Sequence, residues 1–202
     1  PTSVIISNKL AWNRTTLNPV TMLPTFEGEI WKNIGNDAMQ DISYDGILRC
    51  YDQGNDLLGG QYKASAVSVH DPEEFIAGAG LDEDLRVNRM NELLNAYCAL
   101  RELKESGKLI SVGIGSKDLT MIECIVDQVP LDWVMIACAY TIHSHSERTK
   151  KLLLKLHSKG IHVINAAVFN SGFLLGKQVL CVLLCMNSKN ICHISYCNYC
   201  IA

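Results

Sequence analysis

The feature that most constrains this chain is an alternation. Residues 4–7, 64–69, 109–114, 133–139 and 161–168 are continuous apolar runs of strand length, and amphipathic helical patterns lie between them. Ile47, Leu48, Tyr51 and Leu58 follow one such pattern. Leu93, Leu94, Tyr97, Leu100 and Leu103 follow another, then Leu119, Ile122 and Val126, then Leu152, Leu153 and Leu156. Strands with no polar alternation are covered on both faces, and strand–helix repetition supplies that cover from a parallel sheet. The expected class is therefore α/β with a parallel sheet.

Local signals set the expected boundaries. The first run ends at Asn8-Lys9. Residues 11–40, with Pro19, Pro24, Gly28 and Gly35, read as loop. Ser43 or Asp41 can cap the first helix, and Gly59-Gly60 ends it. After His70-Asp71, Pro72 stops the strand, and a polar loop is expected through Asp84. Gly107 and Gly160 close two further helices. Ser116 can cap the helix after 109–114, and Ser144 with Glu147 has capping-box spacing. Two architectures fit, a doubly wound sheet and a (β/α) barrel. No G-x-G-x-x-G and no G-x-x-x-x-G-K-S/T occurs, which removes the best marks of the first. Special residues recur where each strand ends: Lys9, His70, Gly115-Ser116, Tyr140 and Asn170-Ser171. Barrel enzymes build their sites on that rim, so the barrel is favoured.

Length and charge exclude several classes of function. At 202 residues the chain is about one domain, with an ordinary 48% apolar and 19% charged residues. Eighteen Lys plus Arg against 21 Asp plus Glu give a net charge of −3, with no basic stripe for nucleic acid. The longest apolar runs, 179–186 and around 133–140, fall short of the ~20 residues that span a bilayer. No signal-peptide pattern opens the chain. It begins at Pro1 rather than Met, so it reads as a piece of a longer protein. Cys50, Cys98, Cys124 and Cys138 lie scattered in apolar segments and read as buried thiols of a reducing, cytoplasmic compartment.

Lys9 and His70 are the residues with the most chemistry to offer. A single Lys at a strand end ordinarily snorkels to water, and a single His is ordinarily a satisfied core or loop residue. Two of them at equivalent strand ends also fit a positioned ammonium beside an acid–base group.

Several blocks then make a resemblance specific. Ser43-Tyr44-Asp45-Gly46-Ile47-Leu48-Arg49, Val69-His70-Asp71-Pro72-Glu73-Glu74-Phe75, Leu103-Lys104-Glu105-Ser106-Gly107-Lys108 and Leu131-Asp132-Trp133-Val134-Met135 resemble successive blocks of the aldo-keto reductases. Phe169-Asn170-Ser171-Gly172-Phe173-Leu174-Leu175 is similar to a block of the D-threo-aldose and L-fucose 1-dehydrogenase branch. The ordered set covers roughly residues 3–176.

The resemblance implies a partial (β/α)8 TIM barrel holding strands three to seven. It also implies an NADP- or NAD-dependent oxidoreductase that transfers hydride to or from an aldose or other small carbonyl, with no nucleic-acid or membrane partner. Members use an Asp–Tyr–Lys–His tetrad, of which Lys9 matches the Lys and His70 the His. Tyr140 matches an aromatic ring stacked on nicotinamide, and Ser116 lies near the carboxamide contact, although 113–117 departs from the usual pattern. Phe169, Asn170 and Ser171 fall on the cofactor side, the last two near the pyrophosphate. The tetrad's Asp and Tyr and the eighth strand are expected to be missing, which leaves an isolated chain defective.

Residues 177–202 break with this pattern. Cys181, Cys185, Cys192, Cys197 and Cys200 crowd that stretch with His193. The spacing lacks the second C-x2-C pair of a zinc site, so no metal is expected and the tail reads as aberrant coding. The domain reading is thus 1–176 for the oxidoreductase portion and 177–202 for the tail. Two rivals stand beside the main reading: a pyridoxal-phosphate barrel with Lys9 as Schiff-base amine, and a fragment without enzymatic activity.

Overall fold

The computed structural model describes residues 4–17 and 35–169. In chain order these hold β1 (Ser7–Leu10), β2 (Trp12–Thr15), β3 (Asp37–Gln40), α1 (Tyr44–Leu57), β4 (Ala66–His70), α2 (Pro72–Ala77), α3 (Glu83–Glu105), β5 (Ser111–Ser116), α4 (Leu119–Gln128), β6 (Trp133–Ala137), α5 (Glu147–Ser158) and β7 (His162–Ala166). Asn170, Ser171 and the Cys-rich tail lie outside the described residues.

The five apolar runs become five parallel strands in the order β1-β4-β5-β6-β7. That order follows the chain and never reverses. A doubly wound sheet must reverse its order at a switch point, so this is the barrel-type arrangement. Right-handed crossovers between sequential neighbours put every connecting helix on the same face of the sheet. The burial pattern agrees. Leu10, Val67, Val69, Val112, Ile114, Val134 and Ile136 are buried together with Ile47, Leu93, Leu100, Ile122, Leu152 and Leu156. Each such side chain contributes about 1.5–3 kcal/mol relative to exposure.

Several boundaries differ from the sequence reading. The first strand runs from Ser7 to Leu10, while Val4 and Ile5 are exposed ahead of it. Residues 11–40 are not all loop, because β2 and β3 pair antiparallel, Trp12 with Gln40 and Thr15 with Asp37. Neither strand alternates in hydropathy, and pairing across so many residues leaves no local signal. The expected loop through Asp84 contains α2, which Pro72 starts from its first turn, and the polar first turns of α3. Ser116 is the last residue of β5. The cap of α4 is Asp118, whose carboxylate accepts the Thr120 N–H at 2.7 Å. Likewise Ser146, not Ser144, caps α5 by accepting the Thr149 N–H at 3.1 Å. Of the four scattered cysteines only Cys50 is fully buried; Cys98, Cys124 and Cys138 are half-buried. Among the described residues no helix is long and apolar enough to cross a membrane.

Candidate active site

The C-terminal ends of the five parallel strands form one rim, and the described residues among those singled out from the sequence reach it. Lys9 is the penultimate residue of β1, and His70 and Ser116 end β4 and β5. Tyr140 follows the end of β6 at Ala137, and Phe169 follows the end of β7 at Ala166. The rim is shared, but the faces are not. Lys9 is in register with Ser68, and alternation puts Lys9, Ser68 and His70 on the face turned away from the helices. Ser116 is in phase with Val112 and Ile114, so it points to the helix-covered face.

There its hydroxyl donates to Glu73 Oε2 of α2 at 2.7 Å. The Lys117 backbone N–H donates to Glu73 Oε1 at 3.2 Å, and the Asp118 N–H donates to Ser116 Oγ at 2.9 Å. Burial pushes the Glu73 carboxyl above its usual range, and these donors pull it part of the way back. Glu73 therefore ties the start of α2 to the end of β5. The two residues stand 43 positions apart, which is why sequence patterning does not single Glu73 out.

His70 is held from two sides. Its Nε2 lies 3.3 Å from Asp71 Oδ2. A Cβ on Gly115 would lie 2.6 Å from Nδ1, so the imidazole rests where only glycine leaves room. Nδ1 is buried and has no hydrogen-bond partner. Burial lowers the imidazole below its usual range. Asp71 works against that, while the charges of Lys9 and Lys117 add to it. Lys9 is thus close enough for His70 to sense its charge, although the Lys9 side chain is exposed. Asp71 has φ 47° and ψ 49°, a left-handed conformation that costs a residue with a Cβ about 1–2 kcal/mol.

Tyr140 and Phe169 present exposed rings, and the Tyr140 carbonyl accepts the Asn165 side-chain amide at 2.7 Å. Asp71, Glu73 and Asn165 are the members that the sequence reading does not single out, and Gly115 stands in it only as a strand-end residue, without its contact to His70. The structure brings Lys9 and His70 to one face, sets Ser116 on the other, and leaves Tyr140 and Phe169 at the margin. A separate cleft of about 600 Å³, lined by Leu94, Tyr97, Val129 and Asp132 among others, lies toward the opposite ends of the strands. Among the described residues no group of three or more His, Cys, Asp or Glu side chains is placed to hold a metal ion.

Known proteins resemble this chain over most of its length. The sequence model of the Aldo/keto reductase family matches residues 2–180. Pyridoxal 4-dehydrogenase of Microbacterium luteolum is 28% identical over 136 residues, covering 66% of this chain and 38% of that protein. D-threo-aldose 1-dehydrogenase of a Pseudomonas species is 28% identical over 134 residues, covering 66% of this chain and 36% of that protein. The holo form of the aldo-keto reductase AKR11C1 from Bacillus halodurans superposes with a TM-score of 0.55 at 17% identity, over 86% of this chain and 46% of that one. The chain spans less than half the length of these relatives.

Proposed function

The chain belongs to the aldo/keto reductase family, and from that premise we propose that it serves NAD- or NADP-dependent oxidoreduction of a small carbonyl compound, an aldose first among candidates. The observation that carries this reading is the placement of Lys9 and His70 on one face at the rim of sequential parallel strands. The names of two relatives mention an aldose and pyridoxal, both small aldehydes, and this supports the substrate class.

Tyr140 and Phe169 suit a nicotinamide cofactor. They hold large rings at the margin of the site with no core to fill, and a flat apolar surface matches an aromatic heterocycle. Asn170 and Ser171 would face the pyrophosphate. Ser116 would contribute through the turn it braces, since its hydroxyl is committed to Glu73 and to the Asp118 N–H. When bound, the nicotinamide supplies or accepts hydride at C4. His70 orients the reacting oxygen of the substrate, and burial keeps its imidazole mostly neutral near pH 7. Lys9 brings positive charge to the same face. It opposes a second charge on the imidazole and favours negative charge developing on the substrate oxygen.

The test is a titration of the purified chain with NAD and NADP, followed by tryptophan fluorescence, with aldose oxidation read from nicotinamide absorbance. The expected result is saturable binding of at least one nucleotide with little or no aldose oxidation, because no residue of this chain matches the proton-transferring Tyr of the tetrad, and such a group typically contributes about 10²–10⁴-fold. Binding of neither nucleotide overturns the reading, and robust turnover abolished by Lys9→Met overturns the matching of the tetrad.

A further inference from the structure

Asp71 occupies the N-cap position of α2, yet its side chain caps nothing. An Asp at that position ordinarily turns its carboxylate to an amide two or three residues on. Here Oδ2 is 3.3 Å from His70 Nε2 instead. The backbone is fixed around it. The Asp71 N–H donates to the Gly115 carbonyl at 2.8 Å, and its own carbonyl accepts the Glu74 N–H at 3.1 Å and Gln40 Nε2 at 3.4 Å. The residue also holds φ 47°, where glycine would sit without strain. A strained, well-anchored residue that forgoes its cap and aims at one neighbour is placed for that neighbour. Across the imidazole, Gly115 leaves no space for any side chain.

We propose that Asp71 is a positioning residue: it holds His70 by Nε2, over Gly115, in the tautomer with its proton on Nε2 and its lone pair on Nδ1. A carboxylate at Nε2 requires an N–H there, and a neutral ring then has only an acceptor left at Nδ1. That acceptor is buried against Gly115, so the ring is fixed on both sides. That His70 serves a substrate rests on the functional reading above; the tautomer does not. The other charges facing His70 are Lys9 from β1 and Lys117 after β5, and both oppose a protonated ring. Glu73 of α2 is engaged with Ser116 and the Lys117 amide.

The test is nitrogen-15 NMR of the imidazole in the full chain, with the His70 signal assigned by its loss in His70→Gln. Wild type should show the Nε2–H tautomer. Asp71→Gly accepts the left-handed backbone, so it should fold with an unchanged or higher melting temperature. Its His70 should become a tautomer mixture with a lower titration midpoint. Asp71→Asn keeps an acceptor oxygen without the charge; it should retain the tautomer and still lower the midpoint. An Nδ1–H tautomer in wild type overturns the proposal. So does a wild-type tautomer and midpoint in both variants, which is what a merely structural Asp71 would leave. The functional reading fails separately, through binding of neither NAD nor NADP.

Discussion

At Gly115 one added methyl group would meet the His70 ring, with its Cβ 2.6 Å from Nδ1. The ring is the movable end of that contact, so Gly115→Ala should cost about 1 kcal/mol, at the low end for overpacking. The larger effect should be local: the imidazole leaves Asp71, and urea melts together with loss of the Nε2–H signal measure the two separately. Glu73 makes a prediction about pH. Burial raises its folded pKa above that of the unfolded chain, so folding favours the protonated acid. The stability tied to that preference is fully present below the unfolded value, near 4.5 in an unperturbed Glu, and is lost as pH rises through the folded one. The stability of wild type minus that of Glu73→Gln should therefore fall as pH climbs through this range, as chemical denaturation at several pH values would show. These residues also mark how far the site can be read from sequence. Lys9 and His70 stand out because each closes an apolar run, and strand ends are visible in one dimension. Glu73 does not, and Gly115 shows only as a strand-end residue without its role, because their partners Ser116 and His70 lie on neighbouring elements that only the sheet register brings together. Ser116 is visible as a strand-end residue, but its face depends on a one-residue phase that the apolar run 109–114 does not carry.

Elements with an apolar stripe were legible, and elements made by pairing or by capping geometry were not. All five parallel strands and four of the five helices show as periodic segments, because each buries one face in a common core. The β2–β3 ladder lacks that signature: Asn13 is buried and its side-chain amide donates to the Gly46 carbonyl at 3.2 Å, a contact no hydropathy pattern encodes. Helix starts also misled, since several side chains in a polar stretch can cap equally well on paper. For α5 the two candidates make opposite predictions. Ser146 Oγ accepts the Thr149 N–H, whereas Ser144 serves the preceding turn through its backbone, accepting the Thr141 N–H at its carbonyl. Ser146→Ala should cost about 1 kcal/mol and Ser144→Ala only a few tenths. Thermal melts of the two variants under identical conditions decide between them, and equal losses would return the cap to Ser144.

Across the whole described sheet the two faces do different work. Sequential strand order sends every connecting helix to one side, and that side holds the row Val69, Ile114 and Val134, in register on adjacent strands and fully buried. The other side holds the row His70, Gly115, Met135 and Ile164, one residue out of phase. Its members are a titratable ring, a glycine, a half-buried Met and an Ile left 43% exposed. Chemistry needs such a face, because a sealed core would admit neither substrate nor cofactor; stability needs its opposite. The same substitution on the two faces separates these tasks. Ile114→Ala removes a fully buried side chain from a packed core and should cost about 2–5 kcal/mol. Ile164→Ala removes one that water already reaches, so both its transfer gain and its cavity are smaller, and the loss should stay below about 1 kcal/mol. Urea melts supply both numbers. Equal, large losses would mean that the face carrying Lys9 and His70 is packed as tightly as the helix-covered one. A rim built on such a face could not open to a ligand at all.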